Sequence, residues 1–303
     1  MNAFRRSIPW LLALLALLAV ACERANRAKP VDTVASPGAA PPAVDSATTA
    51  NRPSAWDPSA GPILLVPADS ANRAFVIVPD SASGATVLSG LPRSASVALF
   101  GRNGSVQSAE LPSVSDASGC QAVALQSAPP PHAWSVGFLG GVVAPLRVDS
   151  IESSTSPDSA SLAASAFRLA SMLPNDSAGR FTGLPFVAHG MWRFTLPNGS
   201  TVLAASVIRQ INQEATPLQE RTFLLAERAA PDTSFTMVYH ERSYGEEETI
   251  ESGDFVAAVA LGSNRNAAII ISRDFGDATA FSLVERGDDG HWRLRWTSAR
   301  RHC

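Results

Sequence analysis

Residues 190–211 read GMWRFTLPNGSTVLAASVIRQI, two apolar stretches that flank the turn residues Asn198-Gly199. β-branched and aromatic side chains are frequent on both sides of the turn, as is typical of strands. Glycine readily adopts the positive φ that a tight turn needs, so Asn-Gly between two such stretches indicates a β-hairpin. This segment therefore predicts two neighbouring antiparallel strands.

The same pattern of apolar stretches and turns continues through the chain from residue 61 onward. Short apolar runs alternate with turn residues, and Asn103-Gly104 and GDDG at 287–290 separate further candidate strands. Crossover helices, which parallel strands require, are almost absent. No repeat of about 40–50 residues recurs, which counts against a propeller. We predict a mainly β fold of antiparallel sheets, as a sandwich, a barrel or a curved sheet.

One helix is predicted near residues 157–173. Ser156 is a suitable N-cap, Pro157 fits the first turn, and Asp158 suits the positive end of the helix dipole. Pro174 ends the pattern. Apolar residues recur at helical spacing along one face, namely Leu162, Ala166, Leu169, Ala170 and Leu173.

The folded part is expected to begin near residue 61, where the composition changes. Residues 22–60 are rich in Ala, Pro, Ser and Thr and hold too little apolar bulk for a core. We predict a disordered, partly extended tether there. Beyond it we expect an N-terminal β region at 61–151, then a unit at 157–303 that combines the helix with a C-terminal antiparallel β domain.

Residues 1–21 have the layout of a secretory signal peptide. Arg5 and Arg6 precede an apolar run at 8–21, whose fourteen residues are too few to span a bilayer. The run leads into LAVAC at 18–22, which resembles the lipobox of bacterial lipoproteins. Ala19 departs from that pattern, because the family favours Leu at this position.

The lipobox resemblance implies lipidation at Cys22. In that family the cysteine thiol takes a diacylglycerol, a peptidase cuts before it, and the new amine is usually acylated. Several acyl chains hold a protein firmly on a membrane, because each buried methylene contributes about 0.8 kcal/mol. Glu23 stands where the family uses Asp as an inner-membrane signal, which favours the outer membrane, facing the periplasm. A plain secretory signal with a chance cysteine is the alternative.

The other two cysteines are Cys120 and Cys303. An exported protein reaches an oxidising compartment, so we predict a disulfide between them. The closed loop would be long, and the chain-entropy model gives about 5 kcal/mol as an upper figure for its stabilisation. Two free, buried thiols are the alternative.

Composition and spacing exclude several classes of activity. A net charge of −3 gives no electrostatic basis for binding nucleic acid. The chain's one lysine is Lys29 in the tether, which excludes Walker-type nucleotide binding and lysine Schiff-base chemistry in the folded part. The five histidines never fall at helical ligand spacing, and the three cysteines are far apart. We therefore assign no catalytic, metal-binding or cofactor-binding residue, and no cofactor.

The last predicted strand is HWRLRWTS, which begins at His291 and alternates strictly. Trp292, Leu294 and Trp296 would share one face of such a strand, and the arginines between them the other. We predict that both tryptophans are buried in the core. An aromatic platform for a sugar ring is the alternative, and it would need Trp292 and Trp296 exposed side by side.

Two functions remain open from the sequence. The first is a non-enzymatic envelope lipoprotein, held on the membrane by its lipid, whose β-rich domain is structural or binds an envelope protein or polysaccharide. The second is a tethered periplasmic hydrolase with a dispersed Ser/His/Asp or metal site. A cleft where a histidine meets a serine or carboxylate within hydrogen-bond reach would favour the hydrolase, and a flat surface without such a cluster the binding protein.

Overall fold

The computed structural model describes residues 63–68, 72–80, 95–112, 122–139, 142–151, 157–174, 179–212, 216–231 and 233–301. Within these ranges the chain is mainly β, with three antiparallel sheets and one α-helix, so the predicted fold class is confirmed. The predicted signal peptide and tether lie outside the described residues, as do Cys22, Cys120 and Cys303.

The strands form three sheets, named here by position. The curled sheet contains β1 (Ile63–Pro67), β2 (Arg73–Ile77), β3 (Ala95–Phe100), β4 (Val106–Leu111), β5 (Val123–Ala124) and β6 (Val136–Leu139), in the order β4-β3-β6-β1-β2-β5. The central sheet contains β7 (Val143–Pro145), β13 (Ser252–Leu261), β14 (Asn266–Asp274), β15 (Thr279–Arg286) and β16 (Trp292–Thr297), in the order β16-β15-β14-β13-β7. The outer sheet contains β8 (Val148–Ser150), β9 (Val187–Thr195), β10 (Thr201–Ile211), β11 (Leu218–Arg228) and β12 (Thr236–Glu246), in the order β12-β11-β10-β9-β8.

The predicted tight turns join neighbouring strands. Gly104 between β3 and β4 has a φ of 80°, and Gly199 between β9 and β10 has a φ of 87°. The preceding Asn103 and Asn198 each accept, through the side-chain oxygen, a backbone hydrogen bond from the residue after the glycine. The 287–290 turn between β15 and β16 follows the same pattern. All three predicted turns are confirmed, with the left-handed conformation at the glycine.

The central sheet has two apolar faces, and each packs against another sheet. One face meets the outer sheet in a buried cluster that includes Phe223, Phe255, Ile269, Ile271 and Trp292. The opposite face meets the curled sheet in a second buried cluster, which includes Leu64, Ile77, Phe138, Ile270 and Trp296. Burial on both faces explains the continuous apolar runs of β13 and β14, because a strand alternates only when one face meets water.

The curled sheet bends around a core of its own. Its edge strands meet through Glu110 of β4 and Gln126 just after β5, whose backbones exchange hydrogen bonds of 3.0 and 2.8 Å. The result is a curled half-barrel with apolar side chains on both faces. The enclosed cluster includes Leu65, Val97, Leu99, Leu111, Leu125 and Trp134.

The predicted helix is confirmed as α1 (Pro157–Ser171). All five residues of the predicted apolar face are buried, and four of them pack on the outer sheet, on the side away from the central sheet. The last turn tightens, since the Met172 and Leu173 N–H groups bond to carbonyls three residues earlier, and Pro174 follows. Ser156, the predicted cap, lies outside the described residues. Among the described residues, no helix combines the length and apolar character needed to cross a membrane.

Two short strands connect the layers. Val143–Pro145 pairs with β13 of the central sheet, and Val148–Ser150 pairs with β9 of the outer sheet. Both precede the helix, so the chain before residue 151 contributes strands to the sheets that follow it. The Val148 N–H also donates to the Arg102 carbonyl at 3.1 Å, which links this segment to the β3–β4 turn.

A β-bulge alters the last strand. Leu283 pairs with Trp296 and Val284 with Leu294, so Arg295 is an extra residue in β16. Both tryptophans are buried, as predicted, with 5% exposure at Trp292 and 4% at Trp296. The prediction that they share a face is wrong, because the inserted residue shifts the alternation and Trp296 joins the cluster on the opposite side of the sheet.

Candidate functional site

A pocket of about 1020 Å³ opens between the curled sheet and the central sheet. Small-molecule sites have volumes of roughly 300–1,000 Å³, so this pocket is large enough for a sizeable organic ligand. The described residues that line it are Val66, Pro67, Phe75, Ile77, Gly101, Arg102, Asn103, Ser105, Gln107, His132, Ala133, Trp134, Ser135, Val256, Thr279, Phe281 and Arg301.

The apolar part of the lining comes from strands of both sheets. Val66 and Ile77 are buried, while Phe75, Val256 and Phe281 are partly exposed to the pocket's open space. Val256 is placed by a β-bulge: Phe255 pairs with Ile271 and Ala257 with Ile270, which leaves Val256 as the extra residue of β13. Bulges redirect side chains in this way near binding sites.

Two turns supply part of the polar lining. The β3–β4 turn supplies Arg102 and Asn103, and a short 3-10 helix, Pro131–Ala133, supplies His132. All three residues are exposed. The Ser135 N–H donates to the Phe100 carbonyl at 2.8 Å, which holds the segment after the 3-10 helix against the end of β3.

Arg301 is held in place from both sheets. Its backbone exchanges two hydrogen bonds of 2.9 Å with Thr279 of the central sheet. Its side chain reaches the curled sheet, where Nη1 donates to the Val76 carbonyl at 3.1 Å and the guanidinium carbon lies 4.4 Å from the centre of the Phe75 ring. Burial lowers the pKa of Arg301, but arginine starts high enough to stay protonated at neutral pH.

The charge of the lining is one-sided. Arg102 and Arg301 are its cationic residues. None of the described residues that line the pocket is Asp or Glu. Chemically, the described lining presents apolar surface for the body of a ligand together with a polar rim.

The tryptophans singled out from the sequence lie elsewhere. Neither Trp292 nor Trp296 is among the described lining residues of the pocket. The Trp292 indole N–H donates to the Glu227 carboxylate, which also accepts from Arg286 at 2.8 Å. Trp292 is therefore a structural anchor between the central and outer sheets, and the two buried rings do not form the exposed pair that a sugar platform needs.

A polar cluster lies between the outer and central sheets. Arg273 binds the carboxylates of Glu241 and Glu251, and the Tyr239 hydroxyl donates to Glu241. Burial, and then the negative charge of Glu241, raise the pKa of Tyr239. Burial acts to lower the pKa of Arg273, but the two carboxylates outweigh it and raise that pKa. The two carboxylates stabilise the charged form of Arg273, and Glu241 favours the neutral form of Tyr239. The cluster therefore links the outer sheet to the central sheet.

A histidine–carboxylate contact lies away from the pocket. His189 Nε2 and Asp254 Oδ1 are 3.6 Å apart, and both side chains are roughly half exposed. That distance exceeds a normal hydrogen bond. Among the residues that the structure describes, no group of three or more His, Cys, Asp or Glu side chains is placed to hold a metal ion.

Sequence reasoning missed the pocket because no local pattern encodes it. Its lining comes from segments as distant as Val66 and Arg301, and the turn glycines were the one local signal nearby. Comparison with protein-family models, curated proteins and solved structures finds no match to this chain. The pocket and the lipobox-like segment at 18–22 are therefore the features that bear on function.

Proposed function

We propose that this chain is a lipid-anchored envelope protein whose β-rich part binds a small amphipathic molecule. The observation that carries the proposal is the pocket between the curled and central sheets, with its volume of about 1020 Å³ and its apolar walls and polar rim. Apolar lining with a few polar groups is the usual composition of a small-molecule site.

The free-energy cost of keeping the pocket open supports a binding role over a purely structural one. Protein interiors are close-packed, and side chains that border an open space lose favourable contacts. Phe75, Val256 and Phe281 expose apolar surface to this space, although the cores on either side are tightly buried. A ligand with an apolar body would restore those contacts and remove that surface from water.

The lipobox supports the location. Lipid at Cys22, followed by a tether at residues 23–60, would hold the pocket near a membrane surface. Amphipathic molecules are enriched at such surfaces because their apolar part leaves water there. A binding protein tethered at the membrane would therefore meet its ligand at high local concentration.

The experiment is a titration of the full chain with N-phenyl-1-naphthylamine, a neutral probe that fluoresces in apolar surroundings. We expect saturable binding to one site per chain. Val256→Trp should weaken binding about tenfold or more, because the larger ring fills the pocket. Val187→Trp is the matched control, since Val187 is 62% exposed on β9 and does not belong to the described lining.

A second occluding variant protects this test against a folding defect. Gln107→Trp blocks the exposed rim and leaves the core untouched. Thermal unfolding checks that each variant is folded. The proposal fails if the wild-type chain does not bind the probe, or if both occluding variants bind it as tightly as Val187→Trp does.

A further inference from the structure

We propose that the rim of this pocket docks on an anionic lipid surface through a rim patch that consists of Arg102, Val106, Arg147 and Arg193. The inference rests on the proposed function, because docking there would turn the mouth of the binding pocket toward the membrane. An amphipathic ligand would then pass between bilayer and pocket without exposing its apolar part to water. The partner is a bilayer that contains anionic phospholipid.

Contacts around the β3–β4 turn bring the rim patch to the pocket. Arg102 in this turn lines the pocket and is exposed. The Val148 N–H donates to the Arg102 carbonyl at 3.1 Å, which places Arg147, the preceding residue, beside the turn. A Cβ added at Gly104 would stand 3.6 Å from the Arg147 Cβ, so this residue packs directly on the turn. The patch therefore borders the mouth of the pocket.

The rim patch carries an excess of positive charge. Asp149 lies between two of its arginines, 3.4 Å from Arg147 and 3.7 Å from Arg193, which it faces in the β8–β9 register. One carboxylate therefore stands among three guanidinium groups, although the whole chain has a net charge of −3. The Arg147 side chain is 80% exposed. Exposed arginines of this kind are attracted to anionic lipid head groups.

An exposed apolar side chain accompanies these charges. Val106 begins β4, the edge strand of the curled sheet, and is 56% exposed. It directly follows Ser105, which lines the pocket. At a membrane surface an apolar side chain enters the boundary between head groups and acyl chains, while neighbouring arginines stay at the level of the phosphates. This combination favours a lipid surface over a soluble anion.

The predicted anchor supports the same partner. Roughly 40 residues separate Cys22 from the first strand, which begins at Ile63. A flexible chain of that length has a root-mean-square end-to-end distance of about 35 Å. Lipid at Cys22 would keep the rim patch within reach of the bilayer at a high effective concentration, so that a weak contact suffices to orient the pocket.

The test is cosedimentation of the mature chain with lipid vesicles. Residues 22–303 are used with Cys22→Ser, so that neither the signal peptide nor a lipid contributes. We expect binding to vesicles of phosphatidylglycerol and phosphatidylcholine in equal parts, and about tenfold weaker binding or less to phosphatidylcholine alone. High salt should weaken the binding. Arg102→Gln and Arg147→Gln should each weaken it about fivefold.

A substitution in the opposite direction protects the test against folding defects. Asp149→Asn should strengthen binding to the anionic vesicles about fivefold, because it removes the negative charge within the rim patch. A damaged fold would not produce such a gain. Arg168→Gln is the matched control for the arginines: it removes a charge from an exposed position on α1, outside the rim patch, and should change nothing.

A fluorescent reporter locates the docked surface. Val106→Trp should add emission that brominated acyl chains quench on the anionic vesicles, after the spectrum of the parent chain is subtracted. Val187→Trp is the control, because Val187 is equally exposed but lies about 20 Å along β9 from Arg193. Quenching at position 187 and not at 106 would contradict the proposed orientation.

Probe and vesicle binding separate this inference from the proposed function. If the chain binds N-phenyl-1-naphthylamine but no vesicles, or binds both kinds of vesicle equally, the pocket stands and the docking inference is overturned. If it binds anionic vesicles but not the probe, the proposed function fails and the rim patch is still a lipid-binding surface. A dimer that Arg102→Gln dissociates, without vesicle binding, would assign the patch to contacts between copies and overturn the inference.

Discussion

Glu220 carries a buried negative charge on the helix-facing side of the outer sheet. It lies directly across from Arg209 in the β10–β11 register, and the two side chains make a two-pronged contact of 2.9 and 3.0 Å. The Glu220 side chain is 0% exposed and that of Arg209 is 7% exposed. Arg242 approaches the same carboxylate at 3.7 Å. One carboxylate therefore balances two nearby guanidinium groups.

We predict that Glu220→Gln lowers the free energy of unfolding by about 3 kcal/mol, because it leaves buried arginine charge without its partner. Asp149→Asn is the matched control. Asp149 contacts Arg147 and Arg193 at 3.4 and 3.7 Å, but its side chain is 49% exposed, so its loss should cost less than about 1 kcal/mol. Urea unfolding of both variants measures the difference. Equal losses would contradict the argument from burial.

Single residues also show which features could be predicted from the sequence and which could not. Alternation in the last strand correctly predicts that Trp292 and Trp296 are buried. Apolar residues at every second position of a strand usually face a core. Alternation fails to predict the bulge at Arg295, which changes the face of Trp296. A bulge inserts one residue without a distinctive residue type, so the sequence offers no signal for it.

At the scale of elements, the local features were predictable. The Asn-Gly turns and the α1 face depend on residues within a few positions of one another, and the structure confirms both. The closure of the curled sheet could not be predicted from a local pattern. Its edges meet at Glu110 of β4, which pairs with β3, and at Gln126 just after β5, which pairs with β2. Pairing between distant strands depends on packing that no short window contains.

The pocket, like the pairing of distant strands, could not be predicted from the sequence. Phe75, Val256 and Arg301 come from three separate parts of the chain and meet because two sheets pack face to face. Each looks ordinary in its own segment: Phe75 and Val256 resemble strand core residues, and Arg301 resembles a polar terminal residue. Their grouping around one pocket is a result of the tertiary arrangement alone.

For the whole molecule, we propose a lipid anchor and a binding pocket in one chain. We predict that cells grown with labelled palmitate label this chain, and that Cys22→Ser abolishes the label and releases the protein from the membrane fraction. Cys120→Ser is the control and should stay labelled, because the lipobox ends at Cys22. An unlabelled wild-type chain in the soluble fraction would refute the anchor.

The most direct test of the central claim is the structure of the full chain with bound N-phenyl-1-naphthylamine. We predict that the aromatic body of the probe lies in the pocket between the curled and central sheets, against Phe75, Val256 and Phe281. A probe bound at another surface while this pocket stays empty would contradict the proposed function.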